Sequence, residues 1–174
     1  VVEHRVDSRV LQLAQHALAI DAGDEETVHV VVHEDNDTFG AILSVYTSTD
    51  GGKSWSRRKV NDDEHCASHM TPHTALDPKT GMLHITWLDN RSGNGALAYA
   101  ACTPGGSSCS ANEAVSDKPF ASYSYERHLP GWLAEYGTLL IDSERRWLHA
   151  VWTQPVLENN KPTSRIFHAR AKLP

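Results

Sequence analysis

"STDGGKSW", residues 48–55, stands between two runs of alternating apolar residues, "AILSVYT" before it and "SRRKV" after it. The order is Ser48-x-Asp50-x-Gly52-x-x-Trp55. Two short alternating runs around an Asp/Gly-rich turn predict a β-hairpin. The Asp50 carboxylate can accept hydrogen bonds from amides further along the turn, and Gly51 and Gly52 supply positive φ at no steric cost. Trp55 supplies apolar weight, expected to pin the turn to a neighbouring sheet.

Composition sets the outer bounds. The chain has 174 residues and 19.2 kDa, a one-domain length able to bury a core. Its net charge of -6, with no basic run, argues against a phosphate-backbone partner. No apolar run approaches the roughly 20 residues needed to span a bilayer. The chain opens on Val1 without a leader pattern, which reads as a processed or excised piece.

Internal similarity extends the reading over the chain. "VHVVVHE" (28–34), "LHITWLD" (83–89) and "LHAVWTQ" (148–154) align, each placing a His at one position: His29, His84 and His149. Trp87 and Trp152 match, with Val32 in the first copy. Each copy follows an apolar run ending in Asp, at Asp21, Asp77 and Asp142, and precedes a third strand-like run. The unit recurs after roughly 55 and then roughly 65 residues, in the range of propeller blades. Three units result, approximately 10–60, 70–117 and 135–171, and a further strand is expected within 1–7. The first two units add a fourth strand, near Arg57–Val60 and Asn112–Val115. The prediction is one all-β domain over 1–174, built of antiparallel four-stranded meanders packed radially.

On these residues the chain resembles the sialidase-like, bacterial neuraminidase-repeat β-propellers. "STDGGKSW" matches their Asp-box, S-x-D-x-G-x-x-W, and "ALDPKTGMLHITWLDNR" resembles one of their blades. The resemblance implies a propeller of four-stranded blades, six in all, with about three in this chain. It makes Ser48, Asp50, Gly52 and Trp55 structural, and says little of activity, because propellers host unrelated functions.

"CTPGGSSC" (102–109) is then similar to a degenerate Asp-box: Gly105-Gly106 falls on Gly51-Gly52, and Cys102 and Cys109 replace the terminal Ser and Trp. The ends of such a turn face each other across a hairpin, so a Cys102–Cys109 disulfide is expected, and with it an oxidising compartment: secreted, periplasmic or cell surface. Cys66 is left as a buried thiol, a metal ligand or a bridge to another chain.

In an up-and-down meander the Asp-box turns lie at one end and the long loops at the other, where binding chemistry usually sits. There His65, Cys66, His69 and His73 form either a Zn or Cu site or a set of loop histidines satisfied by neighbours. "HEDND" (33–37) is either a calcium loop or a solvated polar loop. In sialidases an arginine cluster holds the substrate carboxylate, a Tyr assisted by a Glu is the nucleophile, and an aspartic acid serves as acid/base. By that resemblance Asp89, Arg91, Glu135 and Tyr136 are the candidate catalytic set. Arg127, Trp132 and His73 are candidate ligand contacts. The chain departs from the pattern: no "RIP" motif occurs, and the adjacent Glu135 and Tyr136 point to opposite faces if they share a strand.

The function expected is glycan binding by a sialidase-like propeller, with glycosidic hydrolysis if catalytic, and with no cofactor unless the metal site is real. The alternatives are a non-catalytic carbohydrate- or protein-binding propeller and a structural subunit of a cleaved protein. Propellers close with roughly four to eight blades. A second polypeptide is therefore expected, either a cleaved N-terminal half or a second copy exchanging strands, with Val2–Val6 completing the last blade. No nucleic acid and no membrane span are expected.

Overall fold

A computed structural model describes residues 16–20, 26–36, 40–64, 67–120, 137–159 and 161–174. All eleven of the described regular elements longer than one turn are strands. The first sheet holds β1 (His16–Ile20), β2 (Val28–Asn36), β3 (Gly40–Ser48) and β4 (Ser56–Lys59), hydrogen-bonded in chain order. The second holds β5 (His69–Leu76), β6 (Leu83–Asp89), β7 (Ala96–Cys102) and β8 (Glu113–Ala114), again in order. The third holds β9 (Gly137–Asp142), β10 (Trp147–Glu158) and β11 (Lys161–Lys172). Every pairing is antiparallel. The expected all-β class and the antiparallel meanders are what the chain forms. The strand expected near Val2–Val6 lies outside the described residues.

The sheets stack through alternating faces. Along β6, Leu83, Ile85 and Trp87 point one way and are fully buried against Val31, Leu43 and Val45 of the first sheet. Each such side chain stabilises by about 1.5–3 kcal/mol relative to exposure. On the opposite face Ala75, Leu97 and Tyr99 pack against Leu139, Leu148, Ala150 and Trp152 of the third sheet. The second sheet is thus covered on both sides. The first strands of successive sheets are neighbours: β1 runs beside β5, and β5 beside β9.

The repeated histidines occupy one register position. His29 Nδ1 lies 2.8 Å from Thr47 Oγ1, His84 Nδ1 2.8 Å from the Tyr99 hydroxyl, and His149 Nδ1 3.0 Å from His168 Nε2. In each case a second-strand His meets a third-strand side chain, and in the first two sheets this happens on the face that packs against the following sheet. Burial holds the His84 imidazole below its ordinary value and pushes the Tyr99 phenol up to about 12. These contacts give the repeated histidines a structural role between second and third strands.

Two turns decide how the sheets lock at one end. In the Asp-box, Gly51 and Gly52 take φ of 69° and 88°. Asp50 Oδ1 accepts from the Lys53 and Ser54 amides at 2.9 Å each, and Ser48 Oγ donates to it at 2.7 Å. The bonds from Ser54 and Ser48 hold the Asp50 carboxyl well below the usual carboxylate range. Trp55 differs from expectation. Its indole N–H donates to the Gly52 carbonyl at 3.1 Å, and the side chain folds over its own turn, leaving the residue 41% exposed. The anchoring to another element comes instead from the backbone, where the Gly51 amide donates to the Glu26 carbonyl at 3.0 Å.

In the second sheet the equivalent turn is closed by the Cys102–Cys109 disulfide, as expected. The two residues face each other across an antiparallel bridge, flanked by Thr103 N–H to Ser108 O and Ser110 N–H to Ala101 O, both 2.8 Å. Gly105 and Gly106 have φ of 71° and 67°, as the overlay on Gly51-Gly52 requires. A Cβ on Gly106 would lie 2.5 Å from Thr47 Oγ1, so this turn seats directly on the first sheet beside the His29 pair.

Candidate functional site: a carboxylate–arginine cluster at the loop end

At the end opposite the Asp-box, β6 finishes at Asp89 and the chain turns through Asn90–Gly93. The Arg91 amide donates to Asp89 Oδ1 at 2.9 Å, and Gly93, with φ of 83°, closes the turn onto the Asn90 carbonyl. That curl brings the Arg91 guanidinium back over Asp89. Nε donates to both Asp89 oxygens at 3.0 and 2.9 Å, and Nη2 donates to Oδ2 at 2.7 Å. Nη1 reaches Asp62 at 2.5 Å, and Nη2 reaches Asn112 Oδ1 at 2.8 Å. Asp63 Oδ1 lies 3.5 Å away.

Segments far apart in sequence meet on this cluster. Asp62 and Asn112 clasp each other: each amide donates to the other's side-chain oxygen at 2.8 Å. Asn61 accepts from the Leu43 amide at 2.9 Å and donates to Asp63 at 2.8 Å. Asn90 accepts from the Ser68 amide at 2.6 Å. Trp87 donates its indole N–H to Asp89 at 3.0 Å, a bond repeated at the same unit position by Trp152 and Gln154 at 3.1 Å.

His69 sits at the centre, fully buried. Its Nδ1 is 2.5 Å from the Ala41 carbonyl, which accepts only, so Nδ1 carries the hydrogen. Its Nε2 faces Asp63 Oδ1 at 3.0 Å and Asp89 Oδ2 at 3.5 Å.

The electrostatics follow. Burial works to raise Asp63, but the Asn61 hydrogen bond and the charges of His69 and Arg91 outweigh it and hold the carboxyl below its ordinary value. Asp62 is lowered in the same way, burial being outweighed by the Asn112 amide and Arg91. Burial disfavours the Arg91 cation, yet its bonds to Asp89 and Asp62 raise it well above its ordinary value. Three carboxylates around one guanidinium leave the patch negative.

Two of the four candidate catalytic residues, Asp89 and Arg91, are thus brought together, as a bidentate pair. Glu135, Tyr136, Arg127 and Trp132 lie outside the described residues, as do His65 and Cys66. His69 and His73 share β5 but serve different neighbours. A bulge between Met70 and His73, with Thr71 at φ of 51°, offsets the two. His73 packs on the start of β9, where a Cβ on Gly137 would lie 2.6 Å from its Nε2. Burial holds the His73 imidazole below its ordinary value. The side chains of 35–37 lie outside what the structure describes.

Sequence reasoning did not single out Asp62, Asp63 or Asn112 as partners of Arg91. Their signal was the acidic "NDDEH" run after the first unit, which has no obvious mate until the loops are placed side by side. It also missed Glu34, which accepts from Ser44 Oγ at 2.8 Å, from the Tyr46 hydroxyl, and from the Arg57 guanidinium on the outer face of the first sheet. None of the described helical turns is long and apolar enough to cross a membrane.

No protein-family model and no curated protein matches this chain.

Proposed function

We propose that the chain is part of an Asp-box β-propeller of sialidase-like descent, working in an oxidising, extracytoplasmic compartment and binding glycans at its loop end without hydrolysing them through Arg91. The observation that carries the architecture is that β1 neighbours β5 and β5 neighbours β9, a side-by-side placing of the first strands of successive meanders that blades around a channel would have. The disulfide supports the compartment. The glycan class rests on the resemblance of the repeats.

The choice of binding over catalysis rests on Arg91. Its donors are turned onto Asp89, Asp62 and Asn112 of the chain itself, and the surrounding patch is negative. An anionic sugar would meet repulsion there. Neutral sugar hydroxyls, by contrast, suit the acceptor-rich rim of Asp62, Glu64 and Asn112.

A glycan array read alongside turnover of fluorogenic sialosides tests this. The expected result is binding to neutral glycans with no turnover. Sialoside turnover lost in Arg91→Ala while the protein stays folded would overturn the binding reading and restore Arg91 to a substrate role.

A further inference from the structure

Each sheet of this chain has a leading face and a trailing face, and the register assigns equivalent positions on them. On the leading faces, Leu43, Leu97 and Ile166 are equivalent, as are the repeated His29, His84 and His149. Ala75 of β5 corresponds to Leu140 of β9, each opposite the repeated His of its sheet.

These equivalent positions differ in one respect. Leu43 is fully buried by the second sheet and Leu97 is buried by the third. Ile166 is 76% exposed and Leu140 58% exposed, the largest exposures of large apolar side chains among the described residues. Val151 between them is half-buried. Twice within the chain this face is covered in the same manner, by the trailing face of another sheet of the repeat. At the other end of the described stack, the trailing face of the first sheet keeps Val28, Val30, Ile42 and Tyr46 half-buried around the buried Val32 and Ser44.

We infer that the leading face of the third sheet is an interface, and that its occupant is the trailing face of the first sheet of a second copy of this chain. One molecule carries both halves of the contact. The inference deepens the propeller reading of the architecture, on which it rests, and is independent of glycan binding.

Burying Ile166 and Leu140 supplies the apolar drive. A head-to-tail contact generates either an open filament or a closed ring. Two copies bring six of the described sheets, within the roughly four to eight that close a propeller, so the same contact made twice closes at a dimer.

Light scattering on the size-exclusion peak of the intact chain tests this. A mass of twice 19.2 kDa is expected. Leu140→Asp with Ile166→Asp should give a monomer that still forms the Cys102–Cys109 disulfide and keeps its strand spectrum. Val30→Asp, on the opposite contact half, should also give a monomer. Mixing the two variants should restore a dimer, because one intact contact remains between them. A wild-type monomer at tens of micromolar overturns the inference. So does a dimer that survives either variant, and so do open polymers. Hydrogen exchange on the wild type probes the same contact without substitution: amides of β2–β3 and of β10–β11 slow together as the chain is concentrated, and no concentration dependence overturns the proposal.

Discussion

Arg146 grips Asp77 with two parallel hydrogen bonds, Nη1 to Oδ1 at 2.7 Å and Nη2 to Oδ2 at 2.8 Å, across 69 residues of sequence. The pair joins the first turn of the third sheet to the first turn of the second. Asp77 is buried, and it also accepts from Thr80 Oγ1 at 2.6 Å and from the Lys79 amide at 3.1 Å. The bonds from Arg146, and then that from Thr80, hold its carboxyl well below the usual carboxylate range. Arg146 has φ of 56°, at the turn position that Gly81 fills with φ of 67° in the preceding unit. A non-glycine residue is strained there. Its bonds to Asp77 and to the Pro174 carbonyl are what that strain secures.

Arg146→Ala keeps the strain and loses the clamp, so it should lower the melting temperature by several degrees. Arg146→Gly loses the clamp but relieves the left-handed backbone, and should be less damaging by about 1 kcal/mol. Urea denaturation of the two variants measures the difference. An Arg146→Ala protein as stable as wild type would show that the clamp contributes nothing between sheets.

Stability should fall as pH drops from about 6.5 toward 5. His84 and His73 are held below their ordinary value by burial, so the unfolded chain, whose histidines titrate near 6.5, binds more protons in this window. Above about pH 7 both states are neutral and the effect vanishes. Asp77 does not confound it: its folded value is depressed, so its contribution is present above about pH 4 and lost only below. Melting temperature against pH, compared with His84→Gln, should show a shallower acid slope in the variant.

The Cys102–Cys109 bridge spans a sequence separation of 7, and closing so short a loop should stabilise by about 2.5 kcal/mol in the chain-entropy model. For a chain of this size that is about 5–10 °C in melting temperature. Calorimetry with and without reductant gives the shift. Alkylation without reductant, followed by peptide mass mapping, should leave both positions unlabelled.

Within the Asp-box, Ser48→Ala should cost more than Trp55→Ala. Ser48 is buried and its Oγ accepts from the Gly52 amide at 2.8 Å, a bond whose loss costs about 1 kcal/mol or more once the amide is unsatisfied. Trp55 covers only its own turn, so its removal should fall within about 0.5–1 kcal/mol. A loss of several kcal/mol for Trp55→Ala, as for a core Trp, would mean that the indole pins the turn to another element after all.

The sequence alone determined what depends on near neighbours along the chain. Alternation with period two, positive-φ glycines, and Asp or Ser at turn starts act over two to five residues. The three meanders, the Asp-box turn and the facing Cys102 and Cys109 could therefore be read without knowing how the sheets pack. What the tertiary structure decided is which loop lies beside which. The tying of Arg91 to Asp62 and Asn112, the seating of Gly106 on Thr47, and the Arg146–Asp77 clamp each join positions 21 to 69 residues apart. Trp55 shows the same limit in reverse: its apolar character was legible, but not the surface it would cover. Charge and apolarity say that a partner is needed, and only the stacking of the sheets fixes its identity, because bonds of 2.5–3.0 Å are selected by geometry that no local pattern encodes.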